Sequence, residues 1–145
     1  GTPFAPAERM PTTDAVLLTA AEQVGSAAAT TDMAVSYARA RTQFGQVIGG
    51  FQAVKHLCAG MLVRVELARA AVWAAAVTGD PVEVAGAKLL ADDAAVGNAR
   101  DCLQVHGGMG FTWEADVHLH LKRAWVRAEL GMTAARAEET VAAGL

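Results

Sequence analysis

The chain has 145 residues, enough for one self-sufficient hydrophobic core and too few for two comfortable domains. Its net charge is −3, and its basic residues are interspersed with acidic ones, whereas nucleic-acid binding would need a basic face. Hydrophobic residues make up 53% of the chain and aromatic residues only 6%, which favours helices over strands. No apolar run reaches the length of about 18 residues that spans a membrane, so we expect no membrane contact.

Residues 1–12 are predicted to be a linker or a disordered end, because they are proline-rich and have no periodicity. They also lack the charged and apolar regions of a signal peptide. Cys58 and Cys102 both fall inside helical patterns, where buried free thiols are favoured over a disulfide. These features predict a cytoplasmic protein.

The remaining residues show the apolar spacing of four or five helices. An N-cap at Thr12 or Thr13, followed by Asp14, starts the first helix, and Gly79 followed by Pro81 separates the second from the third. The predicted helices cover about 13–41, 51–77, 82–105, and then 113–124 and 126–143, as one long helix or two shorter ones.

Short connections at 42–50, 78–81 and 106–112 would make consecutive helices antiparallel neighbours. The many alanines would let those helices approach closely. We therefore predict one all-α domain over residues 13–145, an antiparallel up-down bundle of four to five helices.

The connection between the first two helices has an order of residue types that suits a nucleotide. The guanidinium of Arg41 could bind a pyrophosphate through two parallel hydrogen bonds, and Gly45 allows the backbone to turn. Gln43 and Gln52 could form hydrogen bonds with the edges of adenine or ribose. The alternative is that Arg41, like Arg39, is an ordinary charge that is favourable at a helix C-terminus.

A second candidate segment is the glycine cluster Gly107-Gly108-Met109-Gly110, which follows Gln104. A dinucleotide-binding fingerprint needs a strand before the cluster and a helix after it. A helix precedes this cluster, so a Rossmann-type site is excluded. A simple turn between helices is the other interpretation of the cluster.

Together, the two segments resemble motifs of the C-terminal helical domain of the acyl-CoA dehydrogenase family. Residues 41–52 are similar to its R-x-x-FG-x-x-I-x-x-FQ loop, and residues 104–111 to its Q-x-x-GG-x-G-F turn. The resemblance extends over nearly everything from Thr13 onward. It implies seven FAD-contacting positions: Arg41, Gln43, Phe44, Gln52, Gln104, Gly107 and Gly108.

The resemblance implies an FAD-dependent oxidoreductase that acts on CH–CH groups of acyl-CoA thioesters. In the family this domain contacts a flavin held mainly by a neighbouring subunit, which implies a homo-oligomer, a dimer or a tetramer. A third possible function is that of a family member that hydrates or oxidises another substrate. The alternative function class is a helical oligomerisation or interaction module that does not bind flavin.

The family's catalytic base is a glutamate, which takes a proton from the acyl-CoA α-carbon. In most members the glutamate is at the position that corresponds to Gly131 in this sequence. In a minority of members it is at the position that corresponds to Ala15, next to Val16. Both base positions therefore lack a carboxylate, and no catalytic residue is predicted in this chain.

Two explanations of the missing base are open. The chain could be a fragment or a non-catalytic subunit of a heteromeric dehydrogenase, as in actinobacterial members that act on steroid or other bulky acyl-CoA thioesters. A sibling subunit would then supply the glutamate. Alternatively, Glu129, Glu22 or Asp14 acts as the base after a shift in register.

No metal site is predicted. Glu114 and His118 share a helical face, but His120 and Asp116 point elsewhere, so there is no third ligand and surface histidines are favoured. The three tryptophans are expected to be packing or interface anchors: Trp73, Trp113 and Trp125.

Overall fold

The computed structural model of the protein describes residues 11–111 and 116–145. Those residues form five α-helices, which confirms the all-α prediction. The helices are α1 (Thr13–Ala40), α2 (Gln52–Thr78), α3 (Pro81–His106), α4 (Val117–Glu129) and α5 (Ala134–Ala143). The predictions for residues 1–10, Trp113 and Glu114 fall outside the described residues.

Side-chain caps begin three of the helices. Thr12 accepts a hydrogen bond from the Ala15 amide at 3.1 Å, which starts α1. Asp80 accepts from the amides of Val82 and Glu83, which starts α3 directly after the capping glycine at position 79. The observed ranges confirm the predicted boundaries of the first three helices to within a residue or two.

Helix α3 lies at the centre of the bundle and contacts each of the other four helices. Its buried face is rich in alanine, whose small side chain allows a close approach between helix axes. Six of its alanines are almost completely buried: Ala85, Ala87, Ala91, Ala94, Ala95 and Ala99. The core therefore depends on close helix packing rather than on large aromatic side chains.

The last two helices are separate, and the predicted boundary near Trp125 is wrong. Helix α4 continues through Trp125 to Glu129, and the break falls at residues 130–133. Gly131 has a φ of +75°, a left-handed conformation that interrupts the helix. Thr133 then caps α5 by accepting a hydrogen bond from the Arg136 amide.

The connection between α1 and α2 contains a small hairpin that the sequence did not predict. Strands β1 (Thr42–Gln43) and β2 (Gln46–Val47) pair antiparallel, and a 3₁₀ turn at Ile48–Gly50 leads into α2. A second 3₁₀ turn, Gly107–Phe111, follows α3. Among the described residues no helix is both long and apolar enough to cross a membrane.

Both cysteines lie in helices as free thiols, as predicted. Cys102 is buried, and its burial raises its thiol pKa to about 12. Cys58 is only partly buried, so the prediction of a buried thiol is wrong for that residue.

Candidate functional site

A cavity of about 560 Å³ opens where the end of α1, the hairpin, the start of α2 and the end of α3 meet. Its size is in the range of small-molecule and cofactor sites. It brings together two segments that are far apart in sequence. Six of the seven predicted site residues line it: Arg41, Gln43, Phe44, Gln104, Gly107 and Gly108.

Arg41 is the basic group of this cavity. It caps the C-terminus of α1, where its amide donates to the Tyr37 carbonyl at 2.9 Å and its carbonyl accepts from the Ile48 amide at 2.8 Å. These bonds fix its backbone, while its exposed guanidinium has no hydrogen bond or ion pair within the described part of the chain. No carboxylate is among the described residues that line the cavity, so the cavity favours an anionic group.

The predicted glutamines do not all lie in the cavity. Gln43 and Gln104 are exposed on its wall, and neither amide has a partner in residues 11–111 or 116–145. Gln52 lies on the first turn of α2 outside the lining, and its Nε2 is 2.9 Å from Nε2 of His56. The structure therefore brings two of the three glutamines together with Arg41.

Phe44 occupies the tip of the hairpin in an unusual conformation. Its φ is +53°, and the φ of Gly45 is +81°, the pair of positive values that a type I′ turn requires. A bulky residue at positive φ is uncommon and marks a turn or stored strain. The ring is 90% exposed and makes an edge contact with Phe51, at 6.3 Å between ring centroids. The turn thus presents an aromatic side chain at the rim of the cavity.

Different structural features explain why the three positions after α3 hold a glycine. Gly107 combines φ +59° with ψ −138°, which only glycine adopts readily. A Cβ on Gly110 would come within 3.0 Å of the Leu103 side chain and 3.1 Å of its carbonyl oxygen. Gly108 has neither a positive φ nor any described heavy atom within 4 Å of a Cβ. Packing explains Gly110 and backbone conformation explains Gly107, whereas Gly108 leaves open space above the backbone beside the cavity.

One wall of the cavity was missed by the sequence analysis. The rings of Tyr37 and His106 stack at 4.2 Å between centroids with an interplanar angle of 28°, and both line the cavity. The sequence contains a signal for Tyr37 as a cavity residue, because Tyr37 precedes Arg41 by four residues and therefore shares its helical face. The His106 position lies within the second motif but was not singled out.

Of the two positions expected for a catalytic base, Gly131 packs against Val16, the residue that follows the other position, Ala15. A Cβ on Gly131 would be 3.7 Å from Cγ2 of Val16, which is the neighbour of Ala15 on the first turn of α1. Ala15 is exposed, and the positive φ of Gly131 would strain any side chain placed there. The break between α4 and α5 therefore packs against the start of α1.

The three carboxylates considered as substitutes for the base lie on α1 and α4. Glu22 pairs with Arg127 at 2.8 Å between oxygen and Nε. Glu129 is exposed on the last turn of α4, and Asp14 is exposed on the first turn of α1. None of the three lines the cavity that contains Arg41.

His120 is not a simple surface histidine, which corrects that part of the prediction. Its Nδ1 lies 3.0 Å from the hydroxyl oxygen of Ser26 on α1. Burial, together with the nearby charge of Arg123, lowers the pKa of His120. In the described part of the chain, no three His, Cys, Asp or Glu side chains form a group that could hold a metal ion.

Trp73 and Trp125 are exposed, at 69% and 48%, so neither is a core packing residue. Beside Trp73, a second cavity of about 440 Å³ lies between α1 and α2, and apolar residues form most of its lining. Its lining includes Leu17, Leu18 and Val72. An interface role for the two tryptophans stays a prediction.

The fold and the cavity define a helical domain with an unpaired basic group and open glycine backbone at one site. The sequence profile of the acyl-CoA dehydrogenase C-terminal domain matches residues 14–144. The chain therefore belongs to the acyl-CoA dehydrogenase family and comprises its C-terminal domain.

Individual relatives agree with this assignment. The chain is 51% identical to acyl-CoA dehydrogenase FadE34 of Mycobacterium tuberculosis over 117 residues, 76% of this chain and 16% of that protein. It is 43% identical to acyl-CoA dehydrogenase IpdE2 of the same organism over 128 residues, 88% of this chain and 40% of that protein. A solved structure of PigA with FAD and proline superposes with a TM-score of 0.88 at 28% identity, over 92% of this chain and 36% of that one. The chain thus spans well under half the length of these relatives.

Proposed function

We propose that this chain forms part of an FAD-dependent oxidoreductase that acts on acyl-CoA thioesters. In this proposal the domain contributes contacts to the adenosine and pyrophosphate half of FAD and does not supply the catalytic base. The observation that carries the proposal is the shared cavity. Arg41 and Gln43 from one segment face Gln104 and Gly108 from another, with no partners of their own among the described residues.

The residues present fit FAD by their chemistry. The Arg41 guanidinium suits a pyrophosphate, which it can contact through two parallel hydrogen bonds. Gly108 leaves room for a phosphate or ribose to approach the backbone, and Gln43 and Gln104 can both donate and accept. The similar solved structure, PigA with FAD and proline, supports the choice of FAD as the cofactor.

When bound, FAD supplies the acceptor for a hydride from the acyl β-carbon. Arg41 would hold and orient the cofactor through its pyrophosphate, and the hairpin that carries Phe44 would cover the cavity rim. The proton on the α-carbon needs a base, and neither Ala15 nor Gly131 can act as one. We therefore propose that another subunit provides the glutamate and that the flavin is bound across the subunit interface.

The exposed apolar surface supports an oligomer. A monomer would leave Trp73, Leu18 and Trp125 in water, together with the groove between α1 and α2. Large exposed apolar patches commonly mark interaction sites. The same groove supports the alternative, a helical assembly module without flavin, because assembly does not require the cavity around Arg41.

Flavin content separates these two functions. The protein, purified with any subunit that accompanies it, should show visible flavin absorbance and release FAD on denaturation. Protein that lacks FAD and does not bind added FAD would overturn the flavoprotein proposal and leave the assembly module.

Activity tests the missing base. The FAD-loaded protein without a sibling subunit should not reduce a dye when acyl-CoA thioesters are supplied. Ala15→Glu places a carboxylate at an exposed helical position without backbone strain, so it is the gain-of-function variant, and Ala15→Gln is its matched control. Dye reduction by the unmodified chain would mean that Asp14, Glu22 or Glu129 is the base.

A further inference from the structure

Polar side chains hold helix α4 against α1. The hydroxyl oxygen of Ser26 lies 3.0 Å from Nδ1 of His120. Nε2 of Gln23 donates to a backbone carbonyl of α4 at 3.0 Å, and Glu22 pairs with Arg127 at 2.8 Å. These contacts follow one another along both helices at intervals of about one turn. Because each of them uses hydrogen-bonding or charged groups, the attachment of α4 to α1 depends on the charges between the two helices.

His120 is the group in this contact whose charge changes near neutral pH. The described charged groups on its own helix and on the helices that pack against α4 are three carboxylates and three cations: Asp116, Arg123 and Arg127 on α4, Glu22 on α1, and Lys88 and Asp92 on α3. Glu22 and Asp92 are each paired with a cation already. A positive charge on His120 would therefore lie near Arg123, with only the exposed Asp116 to offset it.

The serine partner accommodates both protonation states of the ring. A hydroxyl group can donate to an unprotonated Nδ1 or accept from a protonated one. The energetic cost of protonation comes instead from burial and from Arg123, which both lower the pKa of His120, while Asp116 opposes that shift. The ring avoids this cost when α4 moves away from α1 and water reaches the imidazole.

Helix α4 is also part of the support of the cavity that contains Arg41. Val117, on the first turn of α4, is fully buried in the same core cluster as Ile48 and Val105. Those two residues line the cavity. Leu121, the residue after His120, packs against the same cluster. A displacement of α4 from α1 would therefore remove apolar contacts from behind the cavity wall.

We propose that His120 is an acid-sensitive latch, whose protonation releases α4 from α1 and loosens the wall of the cavity through Val117 and Leu121. The attached form binds the proton more weakly than the released form, so the attached form is favoured above a pH of about 6.5 and loses this advantage as the pH falls below it. Where the attached form excludes the proton, the ratio of released to attached α4 rises about tenfold from pH 7.5 to pH 5.5. The inference does not rest on the proposed function, because it concerns contacts within the chain.

Hydrogen exchange followed by mass spectrometry tests the latch in the protein purified with any subunit that accompanies it. After correction for the intrinsic pH dependence of exchange, the protection of α4 amides should fall about tenfold between pH 7.5 and pH 5.5. The protection of α2 amides should not fall with it. His120→Asn keeps a hydrogen-bonding group opposite Ser26 but does not titrate, so its α4 protection should be the same at both pH values. His56→Asn is the matched control, because it removes an exposed histidine on α2, and it should lose α4 protection like the unmodified protein.

Three results would overturn the inference: unchanged α4 protection in the unmodified protein, an equal loss in His120→Asn, or an equal loss in α2. If His120→Asn does not fold, imidazole resonances of the unmodified protein decide the question. The ring of His120 should titrate over the same pH range in which α4 loses protection. Titration of that ring without a change in α4 exchange would contradict the latch.

Discussion

Two polar regions of the molecule differ in how far the fold satisfies their hydrogen-bonding groups. Around Lys88 the protein pairs almost every group with another part of itself. Around Arg41 it leaves the guanidinium and the neighbouring amides of Gln43 and Gln104 without partners in the described residues. The difference separates residues that the fold requires from residues that a ligand requires.

The Lys88 region connects three helices. Its Nζ is fully buried and donates to Oδ2 of Asp92 at 2.5 Å and to the carbonyls of Arg127 and Met132 at 3.1 Å. Gln23 on α1 donates to Oδ1 of Asp92 at 3.0 Å. Burial raises the pKa of Asp92, and the hydrogen bonds from Lys88 and Gln23 oppose that shift. Lys88 thereby caps the end of α4 and holds the turn that contains residue 131.

The cavity around Arg41 costs the fold little. Its polar side chains are exposed, so water can satisfy them in the absence of a ligand, and truncating them should not unfold the protein. If the two regions differ as described, substitutions around Lys88 should change stability, and substitutions around Arg41 should change affinity for FAD.

The largest effect is expected for Lys88→Met. The substitution leaves the buried carboxylate of Asp92 without its cation and several carbonyls without a donor. The free energy of unfolding should fall by about 3–5 kcal/mol, as for other buried pairs that lose one partner. Urea unfolding followed by circular dichroism measures it.

Lys55→Met is the matched control, since Lys55 is exposed on α2, and it should stay within about 0.5 kcal/mol of the unmodified protein. Adding Asp92→Leu to Lys88→Met should restore part of the loss. A loss below about 1 kcal/mol for Lys88→Met would contradict the role of Lys88 as a buried cap.

Arg41→Ala should weaken FAD binding about tenfold or more, with little change in stability. A charge-assisted hydrogen bond is worth about 1.5–3 kcal/mol, and 1.4 kcal/mol corresponds to a factor of ten. Arg41→Lys should recover only part, because an ammonium cannot form the forked contact. Titration of FAD into the stripped protein measures both variants.

Arg39→Ala is the control for Arg41→Ala. Arg39 is also an exposed cation at the end of α1, but it lines a different cavity, which includes Cys58. It should bind FAD like the unmodified protein. Equal affinities for Arg41→Ala and the unmodified protein would mean that Arg41 is only a helix-end charge.

The glycine turn after α3 allows effects on stability and effects on FAD affinity to be compared at three neighbouring positions. Gly110→Ala should lower the free energy of unfolding by about 1–3 kcal/mol, because its Cβ would overlap Leu103. Gly107→Ala should cost a similar amount through backbone strain, about 1–3 kcal/mol. Gly108→Ala should keep its stability within about 0.5 kcal/mol and bind FAD several times more weakly. Full FAD affinity in Gly108→Ala would refute close approach of a ligand at this position.

The smallest effect concerns pH and His120. Because its pKa is lower in the folded protein than in the unfolded chain, the unfolded chain binds the proton first as the pH falls. The contribution of His120 to stability is therefore lost below its unfolded pKa of about 6.5. Unfolding at pH 7.5 and pH 5 should show a smaller acid loss for His120→Asn than for the unmodified protein. An unchanged acid loss would exclude His120 as a source of it.

Local sequence signals predicted most of the fold. Thr12, Gly79 and Pro81 act through their own backbone and nearest neighbours, so their roles could be inferred without a tertiary structure. The break between α4 and α5 was misplaced because Gly131 resembles any other glycine in a polar helical pattern. Its left-handed conformation becomes evident only from the packing of that turn on Val16 and its hydrogen bonds to Lys88.

The sequence by itself determined the first three helices, the two motifs and the absence of a glutamate at Ala15 and Gly131, because these depend on residue type and spacing. Only the tertiary structure decided which motif residues share a cavity, since Gln52 points to His56 while Gln104 comes to lie with Arg41. It also decided the orientation of the His106 ring, whose Nδ1 lies 2.8 Å from the carbonyl oxygen of Cys102. Residue type and spacing do not determine these outcomes, because the direction of Gln52 and of His106 depends on the rotamer of each side chain. The approach of Gln104 to Arg41 depends on contacts between segments that are far apart in sequence.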